Sequence, residues 1–228
     1  MEIGFVEQFV GSHVRDPFGR VVGTLVSVYS NVDGEVEAVE VALGGNKFTT
    51  VPAERLMKKD DKLVIMPEWM AEARSVYRKL DTAMRRLKAL ETMAKNGDFN
   101  PDIVAEARKK VEQQMGKLKG KLSEVKKMIR ERINELEDQV LQMDKALVNL
   151  QMSYIAGEIS ERRYQQAASA IRQQKEIAFE EKKSLKEWME KLERLEREPV
   201  EVHEEEKAAQ VPQTATTAVT PLTIDLQD

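Results

Sequence analysis

Pro67-Glu68-Trp69-Met70-Ala71-Glu72-Ala73-Arg74-Ser75-Val76-Tyr77-Arg78-Lys79-Leu80 is where the period of the apolar residues changes from 2 to 3.5. From here Trp69, Ala73, Val76, Leu80, Ala83, Leu87, Leu90 and Ala94 follow one another at spacings of 4-3-4-3-4-3-4. That is an unbroken heptad seam, the pattern of a coiled-coil helix. Pro67 therefore separates two kinds of chain: strands before it, helices after it.

Upstream, the first 66 residues read as five or six short strands. Asp16-Pro17-Phe18-Gly19 and Asn31-Val32-Asp33-Gly34 are turn signals, because proline presets φ and glycine accepts positive φ. Val21 to Tyr29 is β-branched and apolar with Gly23 inside it; a glycine within a strand marks a bend or a close backbone approach. In Glu37 to Leu43, Val39, Val41 and Leu43 alternate with Ala38, Glu40 and Ala42. Gly44-Gly45-Asn46 turns the chain into Lys47 to Val51, and Lys62 to Met66 closes the set. Short strands separated by regular turns imply a small barrel or sandwich.

Downstream, Asn96-Gly97-Asp98-Phe99-Asn100-Pro101 ends the first helix and starts a second, with Gly97 past the C-terminus, Asn100 as N-cap and Pro101 in the first turn. Val104, Val111, Met115, Leu118, Leu122, Val125 and Ile129 hold a seam with Arg108 as its polar break, and Ile133, Leu136, Val140, Met143, Leu147, Leu150 and Tyr154 continue it through a stutter. Gly116 and Gly120 lie inside this helix; they either admit a close neighbour or are tolerated soft spots. Gly157-Glu158-Ile159-Ser160 forms a corner into a third helix, whose seam (Tyr164, Ala168, Ile171, Ala178, Leu185, Met189, Leu192) is interrupted by Lys175 and Lys182. Short connections make these helices antiparallel neighbours. The division is thus 1–66 for the β-domain and 67–198 for the helical body, with helices at about 68–95, 101–155 and 161–198.

Residues 199–219 have a low-hydrophobicity linker composition, with Glu204-Glu205-Glu206 followed by Pro, Gln, Thr and Ala. Residues 220–228, Thr-Pro-Leu-Thr-Ile-Asp-Leu-Gln-Asp, return to strict alternation. A strand with no sheet of its own needs a partner's sheet edge, which is the logic of β-strand addition. The blander reading is a terminus that binds nothing.

Composition agrees with this division. Charged residues make up 33% of the 228 and aromatic residues 5%, which suits helices with much solvated surface. There is no cysteine, so disulfides, thiolate metal sites and cysteine nucleophiles are excluded, as fits a reducing cytoplasm. No signal peptide opens the chain and no apolar run is long enough to span a bilayer. The two histidines, His13 and His203, stand in different regions, no phosphate-loop, dinucleotide or nucleophile-elbow motif occurs, and the carboxylates fall mostly at exposed heptad positions. We therefore expect no catalytic residues, no metal and no cofactor: the protein reads as a non-enzyme.

Charge is unevenly placed. Residues 1–66 carry −3, 67–198 carry +4 and 199–228 carry −5. Ten Lys or Arg stand between Arg108 and Arg132 against Glu112, Glu124 and Glu131. Arg108, Lys109, Lys110, Lys117, Lys119, Lys121, Lys126 and Lys127 are candidate contacts for a polyanion, either DNA or an anionic membrane surface. The competing reading is a solvated coiled-coil face paired with nearby acids such as Glu131, Glu135, Glu137 and Asp138. No aromatic residue interleaves the stretch, which argues against stacking on single strands.

Two resemblances follow from these motifs. Val10-Gly11-Ser12-His13-Val14, Gly19-Arg20-Val21-Val22-Gly23 and Val51-Pro52-Ala53-Glu54-Arg55-Leu56 are similar to the PRC-barrel family over residues 4–66. That likeness implies a small β-barrel with a docking role. The order of barrel, long coiled coil, linker and a terminal Pro-Leu-Thr-Ile-Asp-Leu peptide resembles the CdvA family of archaeal cell-division proteins over essentially the whole chain.

The CdvA resemblance implies a cytoplasmic scaffold at the mid-cell division site, peripheral to the membrane and nucleoid-associated. It further implies self-association into dimers and filaments, and recruitment of CdvB, an ESCRT-III homologue. The terminal strand would extend the sheet of the CdvB winged-helix domain through Pro221, Leu222, Thr223, Ile224, Asp225 and Leu226. The alternative function is a DNA-binding, nucleoid-associated coiled-coil protein. The expected fold class is α+β multidomain: an N-terminal PRC-type β-barrel, a long antiparallel α-helical coiled coil, and a disordered tail.

Overall fold

A computed structural model describes residues 1–97 and 99–197. The calls on 199–219 and on the terminal strand, with Pro221, Leu222, Thr223, Ile224, Asp225 and Leu226, lie outside the described residues.

The β-domain is set by turns that side chains fix locally. A one-turn helix α1 (Ile3–Val6) precedes strands β1 (His13–Arg15), β2 (Val21–Ser30), β3 (Val36–Gly44), β4 (Lys47–Pro52), β5 (Leu56–Lys59) and β6 (Lys62–Ile65). Between β1 and β2, Asp16 Oδ1 accepts from the backbone N–H of Phe18 and Arg20 at 3.0 and 2.9 Å. Asn31 Oδ1 does the same between β2 and β3, accepting from Asp33 and Glu35. Such side-chain acceptors mimic a backbone turn and explain why Asp and Asn stand there. Asp60 and Asp61, both at positive φ, make the two-residue hairpin turn between β5 and β6.

The strands form one six-stranded sheet in the order β4-β3-β2-β1-β6-β5, antiparallel except for the β1–β6 pair. The sheet curls into a half-barrel around Val6, Val14, Leu25, Val39, Val41, Val51 and Ile65. β4 and β5 are its two edges. Gly23 is the close approach that its position in β2 predicts: a Cβ there would lie 2.4 Å from the carbonyl oxygen of Ala42 on β3. Leu43 leaves the inward set of Val39 and Val41 and is exposed, because the β3–β4 register shifts between Ala42 and Gly44.

Three helices follow: α2 (Glu68–Asn96), α3 (Pro101–Ile155) and α4 (Glu161–Arg197). Gly97 ends α2 in the left-handed region at φ 74°, and the Asn100 side chain caps α3 by accepting from the Asp102 N–H. The 55 residues of α3 make a rod roughly 80 Å long. α2 and α4 both pack against it, and the heptad seams meet within one chain. Trp69, Ala73, Val76 and Leu80 from α2, Leu122, Val125, Ile129 and Leu136 from α3, and Ala178, Leu185, Leu192 and Leu195 from α4 form one buried core. Beyond that three-helix section α3 and α4 continue as a pair, closed at the corner by Tyr154 stacked on Tyr164 at 4.7 Å.

The lysines that interrupt the α4 seam are matched: Lys175 bonds Asp144 and Lys182 bonds Glu137, both on α3. Gly116 and Gly120 face open space, since a Cβ at either would meet nothing within 4 Å. No described helix is long and apolar enough to cross a membrane.

Candidate functional site

Three features of the surface and the domain junction bear on function. The first is the junction itself. Glu181 on α4 is 1% exposed, the only fully buried glutamate among the described residues. Trp69 Nε1 donates to its Oε1 at 3.2 Å, and Arg132 on α3 donates from Nε and Nη2 to the two carboxylate oxygens, each at 3.0 Å. Arg20, at the start of β2, brings Nη1 within 2.6 Å of Oε2 and bonds Asp16 through Nε. Phe18, in the same turn, stacks on Trp69 at 6.5 Å.

Four elements therefore converge on one carboxylate. Burial alone would push the Glu181 carboxyl up, but hydrogen bonds from Arg132 and Arg20 outweigh it and hold it below its ordinary value. Arg20 and Arg132 are both raised: burial opposes the charge of Arg20, and the bonds to Glu181 and Asp16 overcome it, whereas for Arg132 the bond to Glu181 leads. The junction is a fixed, satisfied charge network and positions the half-barrel on the coil.

The second feature concerns the basic stretch. Its side chains spread around α3, because consecutive residues are 100° apart on a helix. Arg108 bonds Glu112 and Glu91, Lys110 bonds Glu106, Lys127 bonds Glu131 and Lys126 bonds Glu196 on α4. Arg132 bonds Glu135 and Lys182 bonds Glu137, so three of the four acids named as partners in the solvated-face reading do pair. Lys109, Lys117, Lys119 and Lys121 make no ion pair among the described residues.

Lys117 and Lys121 face a groove of about 600 Å³ between α2 and α3. Its other wall carries Arg78, Lys79 and Arg86, and Ala83 and Leu118 floor it. No carboxylate lines it. Those three cations of α2 escape a reading confined to residues 108–132. Their only signal in the sequence is the spacing of four between Arg78, Thr82 and Arg86, which places them on one helix face.

The third feature is an apolar stripe on the distal part of α3. Leu141, Val148, Met152 and Ile155 fall at 7-4-3 spacing and all are exposed, Ile155 by 75%. They stand beside the intrachain seam of Met143, Leu147, Leu150 and Tyr154, not in it. This second seam also went unread in the sequence, because the first accounted for the heptads. Among the described residues no group of three or more His, Asp or Glu side chains is placed to hold a metal ion.

Comparison with known proteins places these features in context. Residues 68–215 match the family described as the CdvA-like coiled-coil domain, more than half of the chain. The chain is 28% identical over 184 residues to a protein of Sulfolobus acidocaldarius named Cell division protein A, covering 81% of this chain and 77% of that one. No solved structure matches.

Proposed function

The chain belongs to the CdvA-like coiled-coil family, and from that premise we propose that it is a non-enzymatic cell-division scaffold, self-assembling at the division site and recruiting an ESCRT-III homologue of the CdvB type to the membrane through residues 220–228. The family match, with a relative named for cell division, is the observation that carries this reading.

The fold supplies a mechanism. A helix of 55 residues, stiffened along its length by α2 or α4, is a spacer, and a spacer is what a polymer subunit needs. The exposed stripe Leu141-Val148-Met152-Ile155 is the seam through which distal hairpins associate. Each subunit then carries one terminal strand, and an array of strands engages a polymerising partner with avidity that one strand lacks. The alternation of Leu222, Ile224 and Leu226 supports docking by sheet extension, with main-chain bonds giving affinity and side-chain pockets giving specificity.

The test uses the full chain. Co-sedimentation with the winged-helix domain of the ESCRT-III homologue is expected to be lost on Ile224→Asp, while light scattering reports unchanged self-assembly. Retention of the partner by Ile224→Asp contradicts the assignment of that strand.

A further inference from the structure

The groove between α2 and α3 is used neither by the hydrophobic core nor by partner recruitment. Elsewhere on the coil, cations are matched by carboxylates: Arg85 with Asp81, Lys126 with Glu196, Lys175 with Asp144, Lys182 with Glu137. In the groove the pattern inverts. Arg78, Lys79 and Arg86 on one wall and Lys117 and Lys121 on the other are exposed, share no ion pair among the described residues, and face a recess with no carboxylate. Five positive charges on two facing walls repel one another. Folding gains nothing from them, since none contributes to the core or to an ion pair.

We propose that this groove binds the phosphodiester backbone of nucleic acid without regard to base sequence. Arg and Lys on opposing walls are placed to straddle a row of phosphates, which is the contact that supplies sequence-independent affinity. Ser75, Thr82 and Gln114 add neutral donors along the same recess. No aromatic side chain lines it, so bases are not stacked and not read. A bilayer is the less suitable polyanion: its headgroups present a broad surface to a recess between two helices, and no large exposed apolar or aromatic residue lines the groove to insert among them. The chain's overall −4 is no obstacle, because a local field acts within a Debye length. This inference is independent of the recruitment reading, so either can fail while the other stands.

The experiment is fluorescence anisotropy of a labelled duplex of mixed sequence with the full-length protein at several salt concentrations. Five phosphate contacts predict a slope of log affinity against log salt of about −4 to −5, and a loss of about two to three orders of magnitude between about 50 and 200 mM. The variant Arg78→Glu/Lys79→Glu/Arg86→Glu should weaken binding at least about ten-fold and flatten the slope by about 2–3, and Lys117→Gln/Lys121→Gln should flatten it by about 2 from the other wall. A control with the same net charge change at the far end of the coil, Arg162→Glu/Arg163→Glu/Lys183→Glu, should leave the slope unaltered.

Circular dichroism confirms that each variant retains its helices. Equal weakening by groove and control variants would reduce the effect to net charge and overturn the proposal, as would a full-length protein showing no salt-dependent binding. Loss of co-sedimentation with phosphatidylserine vesicles in groove variants that still bind duplex would also overturn it, and would transfer the groove to a membrane.

Discussion

Arg20 Nη1 lies 2.6 Å from Glu181 Oε2, so the half-barrel and the last helix are joined by an ion pair that spans most of the chain. The pair is closed by Arg132 and Trp69, and no buried side-chain polar atom of the described residues is left without a partner. A buried charge is tolerated when its bonds are complete, and removing one member strands the others.

Glu181→Ala should therefore destabilise the protein, by about 1–3 kcal/mol, since Arg20 and Arg132 are partly exposed and regain water. Urea denaturation checks this. Arg20→Ala should loosen the half-barrel from the coil while the helices persist, seen as faster amide exchange around Phe18 with unchanged helical content.

The same network gives a pH dependence. Glu181 is held below its ordinary value of 4.5, so its contribution is complete above that value and is lost as pH falls through the lower, folded-state one. The stability difference between the wild type and Glu181→Gln should be constant at neutral pH and shrink below about pH 4.5. A difference that instead grows on acidification contradicts the assignment. The protonated state of Glu181 must be accommodated by Arg20, Arg132 and Trp69, the groups that face it.

Glycines in the two halves should respond oppositely. Gly23→Ala drives a methyl into the Ala42 carbonyl and should cost well over 1 kcal/mol, whereas Gly116→Ala and Gly120→Ala meet open space and should each stabilise α3 by up to about 1 kcal/mol. Thermal melts of the three variants distinguish these outcomes.

The exposed stripe on α3 should carry assembly. Val148→Asp with Ile155→Asp is expected to leave the melting temperature nearly unchanged and to abolish concentration-dependent association in analytical ultracentrifugation. Undiminished association places the self-contact elsewhere.

Much of the architecture was legible because it is local. Asn100-Pro101 and Gly157 announce the ends of α3, and the seam from Val104 to Tyr154 announces its length. Gly23 announces a close approach. What was not legible depends on pairing between distant segments. Glu181 reads as one more coiled-coil carboxylate until Arg20, Trp69 and Arg132 are brought around it from three other elements. The groove is half visible: Lys117 and Lys121 belong to an evident basic run, but Arg78, Lys79 and Arg86 join them only when α2 is laid antiparallel beside α3. The exposure of Leu43 turns on a one-residue register shift that alternation cannot reveal.

The central claim, recruitment through the terminal strand, is tested most directly by calorimetric titration of a peptide spanning residues 211–228 into the folded winged-helix domain of the archaeal ESCRT-III homologue. Saturable binding that disappears with Leu222→Asp is the predicted result. Absence of binding to a domain shown to be folded would contradict it.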